Sequence, residues 1–139
     1  MEGRTKVAIA IIIVLSSTLP VFASGFKRIY FRGFNSPPEP RLIYPISDKV
    51  ILTGKDFLEF RWWNDFIGIE HYEFKLYKGY NMYASDLIYK QSLPSRASSI
   101  KIKSELFEDG QVYTWSLIQV SFGGQKSDKS FNSFKVIKK

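Results

Sequence analysis

The stretch from His71 to Tyr77 constrains this chain more than any other. Tyr72, Phe74 and Leu76 alternate with His71, Glu73, Lys75 and Tyr77. A helix would scatter those three apolar residues around its axis, whereas a strand puts them on one face. The same period of two recurs elsewhere. Leu58, Phe60 and Trp62 alternate with Glu59, Arg61 and Trp63; Ile100 and Ile102 with Lys101 and Lys103; Tyr113, Trp115 and Leu117 with Thr114 and Ser116; Phe134 and Val136 flank Lys135. Clusters of Ser, Asp, Asn and Gly at 47–48, 53–56, 64–65, 79–81, 92–95, 108–110 and 123–124 separate these runs and read as strand terminators. No segment after residue 23 carries a sustained 3.6-residue apolar stripe. Runs that bury one face and wet the other belong to antiparallel sheets around a shared core. About seven such strands in about 100 residues is the content of a two-sheet sandwich. The absence of an internal repeat argues against a propeller or solenoid. Ile118, Val120 and Phe122 fall out of phase with Tyr113, Trp115 and Leu117, which predicts either a bulge near Gln119, the favoured reading, or a second apolar face on that strand.

The first 23 residues read as an address. Arg4 and Lys6 precede nine unbroken apolar residues at 7–15, and Pro20 and Val21-Phe22-Ala23 supply a helix stop and a small-residue cleavage site. That order is a signal-peptide helix cleaved after Ala23. A retained anchor would need about 20 mostly apolar residues, and Ser16, Ser17, Thr18 and Pro20 interrupt this one. No membrane span is then expected after cleavage. The chain has no cysteine, which excludes a lipobox anchor, disulfides, thiolate zinc sites and thiol catalysis. An exported, cysteine-free small domain points to a bacterial envelope protein that is periplasmic, cell-surface or extracellular.

Residues 24–39 form an extended basic-aromatic arm. Pro37 and Pro38 hold it extended, and Phe26, Tyr30, Phe31 and Phe34 are interleaved with Lys27, Arg28 and Arg32. A segment this aromatic is expected to pack on its own sandwich as an extra strand, to join a partner's sheet edge, or to lie on a surface. The formal charge of +7 follows the same division. Residues 24–41 contribute +3, residues 135–139 another +3, and residues 42–134 are neutral. Two small basic ends around a neutral body do not make the continuous basic face that nucleic acid needs.

Residues 40–139 resemble a fibronectin type III-like domain of the variety found in bacterial extracellular and envelope proteins. The resemblance rests on Pro40-Arg-Leu-Ile-Tyr-Pro45 as a proline-flanked first strand, Phe60-Arg-Trp62 at the buried tryptophan, Tyr72-Glu-Phe74-Lys-Leu76 as the third strand, and Met82, Tyr83 and residues 87–89 after it. Its most specific piece is the stretch from Leu106 through Gly110 to Tyr113 and Trp115, which resembles the family's tyrosine corner. The resemblance implies an all-β, immunoglobulin-like, two-sheet antiparallel sandwich. It implies a structural role for Leu106, Gly110 and Tyr113, with the tyrosine hydroxyl bonded to backbone upstream. The fold by itself names no ligand.

Catalytic and metal chemistry find little to build on. His71 is the only histidine; strand phase points it outward with Glu73, so a surface ion pair is its plainer role than a triad. Glu105, Glu108 and Asp109 precede a turn, and a paired-acid cleft has no material here. Asp48, Asp56 and Asp65 lie in separate loops, without calcium-loop spacing. The expectation is a non-enzymatic chain with no metal and no cofactor. Trp63 is outward if Trp62 is inward, and Lys101 or Lys103 on a neighbouring strand could lie over its ring. Trp63, Tyr80, Tyr83 and the arm residues are therefore the candidate binding residues. The leading function is an exported module that docks an envelope or surface protein or serves as a structural subunit. The alternative is a carbohydrate-binding module in which Trp63 and Tyr80 or Tyr83 stack on sugar rings.

Overall fold

Alternating residues become strands because each apolar face finds the other across one core. The computed structural model describes residues 28–29 and 36–139; the signal-peptide helix and most of the arm lie outside them. Ten strands follow in chain order: β1 (Arg28–Ile29), β2 (Leu42–Tyr44), β3 (Lys49–Ile51), β4 (Phe57–Trp62), β5 (Phe66–Ile67), β6 (Ile69–Lys78), β7 (Leu87–Pro94), β8 (Ser99–Lys103), β9 (Val112–Ser121) and β10 (Ser130–Ile137). They form a five-stranded sheet ordered β3-β10-β9-β6-β7, a three-stranded sheet ordered β2-β4-β8, and the small pair β1-β5. The protein is an all-β sandwich of the immunoglobulin and fibronectin type III-like kind. Most pairings are antiparallel, but β3 runs parallel to β10 and β1 parallel to β5. The first departure follows from the path of the chain. It leaves the smaller sheet after β2, passes the cis peptide Tyr44–Pro45, and joins the larger sheet beside its last strand.

The core lies between the sheets and is largely aromatic. Phe60 packs edge-on against Phe74 and Trp115, each with ring centroids 5.1 Å apart, and Phe134 lies 6.0 Å from it. Such pairs add about 0.5–1.5 kcal/mol each beyond their buried area. Trp115 is sealed in by a hydrogen bond from its indole Nε1 to Pro45 O at 3.0 Å. Among the described residues, every member of the buried core cluster falls between Val50 and Val136.

The register of β9 with β6 is unbroken from Tyr113 to Val120 and shifts between Val120 and Ser121, just past Gln119 and so close to the expected bulge. The shift comes too late along the strand to set the phase of Ile118. The inward phase of Tyr113, Trp115 and Leu117 continues to Gln119, which is fully buried and donates from Nε2 to Pro38 O at 2.6 Å. A polar residue therefore occupies the fourth inward position, where the proline strap provides an acceptor. Ile118 and Val120 belong to a second apolar face of the central strand. Tyr77, on that same outer face, is buried rather than exposed; burial pushes its phenol above the usual range, with a hydrogen bond to Ser116 opposing this.

The tyrosine corner is built one residue away from the expected leucine. Glu108 N donates to Tyr113 Oη at 2.8 Å, and Gly110 takes φ +82° in the turn before β9. Leu106, however, is 37% exposed, while Phe107 is buried and meets the Tyr113 ring edge-on at 5.0 Å. The 3-10 turn Ser104–Leu106 closes through Phe107 N to Ser104 O at 3.0 Å. That turn leaves Leu106 outside and delivers Phe107 to the core.

Candidate functional site

The sandwich has two poles, and the sequence-derived candidates divide between them. At one end, where the described chain enters, lie the segments 63–68, 95–98 and 121–126. They are tied together by Trp63 N to Arg41 O at 2.9 Å, Phe122 N to Gly68 O at 3.3 Å, and Asn64 Nδ2 to Ser95 O at 2.7 Å and to Ala97 O at 3.0 Å. At the other end, where the chain leaves, lie segments 53–56, 79–86 and 104–111, joined to the C-terminus by Lys138 N to Asp109 Oδ1 at 2.7 Å. Strand β6 has 10 residues running from one end to the other. At about 3.3 Å per residue the two ends are about 30 Å apart.

Trp63 follows β4 at the entry pole and is 51% exposed. The cation over its ring is Arg41, whose guanidinium carbon lies 5.1 Å from the centroid, and not Lys101 or Lys103. Lys101 pairs with Glu59 and Lys103 with Phe57, short of the strand end where Trp63 begins; Lys101 Nζ instead lies 6.0 Å over Phe57. Arg41 also forms an ion pair with Asp65, which holds the guanidinium in place. Ile67 and Phe122 accompany Trp63 at this end, 47% and 68% exposed. Sequence reasoning missed both as surface candidates. The available signal was an apolar residue beside turn glycines (Gly68, and Gly123-Gly124), where the backbone turns away from the core.

The arm is described only at Arg28–Ile29. These two residues pair as a parallel strand with Phe66–Ile67 of the same chain, so this part of the arm takes the extra-strand role. Phe26, Lys27, Tyr30, Phe31, Arg32 and Phe34 lie outside the described residues. The arm's last stretch is strapped down: Pro38 O accepts from Gln119 and Pro40 O accepts from Ser130 Oγ.

Tyr80 and Tyr83 belong to the exit pole, on the loop between β6 and β7, and are 71% and 64% exposed. Both ends of this loop are fixed. Gly79 N donates to Val112 O at 2.7 Å and Gly79 O accepts from Thr114 Oγ1 at 2.7 Å; Asp86 N donates to Tyr83 O at 2.9 Å across the 3-10 turn Ala84–Asp86. The loop thus presents two uncovered rings from a held backbone. The structure does not bring Trp63 together with Tyr80 or Tyr83. A single ring-stacking platform combining them is ruled out by the length of β6.

His71 lies on the outer face of the larger sheet, with Nδ1 at 3.1 Å from Glu70 Oε1 and Nε2 at 3.6 Å from Glu73 Oε2. Lys126 Nζ reaches the same Glu73 oxygen at 3.3 Å. Together they form a partly exposed polar network on the sheet surface. Among the described residues no three of His, Asp and Glu converge on a point that could hold a metal ion, and no helix is long and apolar enough to cross a membrane.

Neither a family model nor a curated protein matches the chain. Among solved structures it is similar to the Clostridium perfringens spore cortex lytic enzyme SleM, with a TM-score of 0.51 and 15% identity over 72% of this chain and 28% of that one. It is also similar to the chicken CNTN1 FN1–FN3 domains, with a TM-score of 0.47 and 12% identity over 72% of this chain and 33% of that one. At these identities the likeness bears on the fold alone. The chain spans a third or less of the length of these two proteins.

Proposed function

We propose that this chain is an exported, non-enzymatic β-sandwich module that docks a protein partner at the cell envelope or surface through the Tyr80–Tyr83 loop. The observation that carries this reading is the display of two large rings on a loop whose backbone is pinned at both ends. Tyrosine supplies broad contact area at low conformational cost and is enriched where proteins meet. Held backbone further reduces the ordering cost of association. The apolar N-terminal segment supports the export part of the reading. Two exposed tyrosines three residues apart also suit a sugar ring, which makes a glycan the second reading.

The test is cross-linking from a photoreactive residue at Asn81, between the rings, in cells producing the full chain. A single protein adduct that disappears in the Tyr80→Ala/Tyr83→Ala double variant is the expected result. Absence of an adduct, together with retention on cell-wall glycan that the double variant abolishes, would replace the protein partner with a sugar. Absence of both would remove the docking reading.

A further inference from the structure

Residues 42–134 are neutral in sum, but the fold sorts their charges by place. Apart from Glu59, Glu70 and Glu73, every Asp and Glu of that stretch lies in a turn rather than a strand. Glu70 and Glu73 belong to β6 of the larger sheet, so Glu59 is the only carboxylate on the strands of the smaller one. The outward positions of β4 and β8 are Phe57, Glu59, Arg61, Ser99, Lys101 and Lys103, because the residues between them are buried. Register sets Lys103 opposite Phe57, Lys101 opposite Glu59 and Ser99 opposite Arg61. From Lys103 to the level of Arg61 this row runs about 13 Å. Arg61, Lys101 and Lys103, with Lys55 just before β4, form no ion pair among the described residues. Asp56 and Glu105 lie in the turns beyond the exit end of the row.

The cations on this face are held by rings. Arg61 lies 5.6 Å over Tyr44 and Lys101 lies 6.0 Å over Phe57, continuing the arrangement of Arg41 over Trp63 at the end of β4. Arg41 already has Asp65 as a partner; Arg61 and Lys101 have none, so their charge is fixed in place and open to a ligand. Beside β4 the face is also indented. Strand β2 pairs only with Arg61 and Trp62 before the chain crosses to the larger sheet. A depression of about 230 Å³ opens there among Tyr44, Lys55, Phe57, Glu59 and Arg61.

Charge at the centre of a face is the reverse of a protein interface, whose core is aromatic and poor in charge. Single-stranded nucleic acid stacks its bases on free rings, and here Tyr44 and Phe57 lie beneath their own cations. What remains is a linear polymer recognised by repeated negative charge, laid along cations that recur at about 6.6 Å on β8. We propose that the outer face of the three-stranded sheet binds a linear anionic polysaccharide, its acidic groups meeting Lys103, Lys101 and Arg61 in turn. This site is separate from the Tyr80–Tyr83 loop and does not depend on it.

The test is retention of the full chain on immobilised polygalacturonate, a linear polyuronate, with neutral dextran as the uncharged comparison. Retention on polygalacturonate alone, released by rising salt, is expected. The Arg61→Gln/Lys101→Gln/Lys103→Gln variant should weaken it roughly tenfold. Lys75→Gln/Lys90→Gln, on the other sheet, and Tyr80→Ala/Tyr83→Ala should leave it unchanged. Arg61, Lys101 and Lys103 are exposed, so the variant is expected to keep the thermal midpoint of the parent. Retention that survives the triple variant, or that falls equally in the Lys75→Gln/Lys90→Gln variant, overturns the inference and leaves the docking reading standing. Absence of retention at low salt, or tighter binding of oligothymidylate than of polygalacturonate, overturns it as well.

Discussion

The hydroxyl of Tyr72, whose register partner on β9 is Gln119, is buried, and neither Tyr72 Oη nor Gln119 Oε1 has a hydrogen-bond partner among the described residues. The neighbouring indole N–H of Trp62 is directed to Ala97 O at 3.1 Å. A buried, unpaired hydroxyl costs about 1–3 kcal/mol by mutational measures. Tyr72→Phe is therefore expected to raise stability by about 1 kcal/mol, read from the midpoint of urea unfolding at constant slope. Burial, reinforced by the charge of Asp65, pushes the Tyr72 phenol from 10.0 up to about 12. Between those values the unfolded chain loses the proton first, so it binds fewer protons than the native state and stability falls as pH rises through that window. The Tyr72→Phe variant should lose less stability than wild type between pH 10 and 12; equal losses would contradict the assignment. Tyr113 behaves in the opposite way on mutation, because its oxygen accepts from Glu108 N. Tyr113→Phe strands that donor and is expected to cost about 1–3 kcal/mol in the same assay.

At the scale of elements, the turn before β9 and the arm give contrasting predictions. Gly110 holds φ +82° while its N–H donates to Val136 O at 2.7 Å. Gly110→Ala should cost about 1–2 kcal/mol through the left-handed backbone alone, since nothing lies within 4 Å of the added carbon. Among the described residues, removal of 24–35 deletes the two-residue β1 pairing and no member of the core cluster. It should change stability by less than about 1 kcal/mol, which thermal unfolding checks. The strands themselves were legible because period-two alternation reports burial directly: β4, β6 and β8 bury the residues the pattern marked. Gln119 and Leu106 were misplaced for a common reason. A tertiary partner decided each position: the Pro38 carbonyl for Gln119, and a 3-10 turn that delivers Phe107 instead of Leu106. Arg41 over Trp63 was equally hidden, because those two residues are 22 positions apart and meet only once β2 is laid beside β4.

The whole molecule is organised around its two ends. Its net basic charge lies largely in residues 24–41 and the last five residues, exposed Trp63 and Phe122 stand at the entry pole and Tyr80 and Tyr83 at the exit pole, and a tightly packed aromatic core keeps those poles about 30 Å apart. Trp63, Tyr80 and Tyr83 were legible in the sequence as exposed rings, but their separation was not, since distance across a sandwich depends on which strands span it. The core that fixes this separation leaves little margin: Trp115→Ala is expected to cost about 3–5 kcal/mol, a large share of the 5–15 kcal/mol typical of a domain, and to lower the thermal midpoint accordingly. The measurement that tests the docking reading most directly is amide hydrogen exchange of the chain with and without the protein captured through Asn81. The reading predicts slowed exchange confined to 79–86, with 63–68 and 121–126 unchanged. Unchanged exchange at 79–86 in the complex, or protection at 63–68 and 121–126 instead, would contradict it.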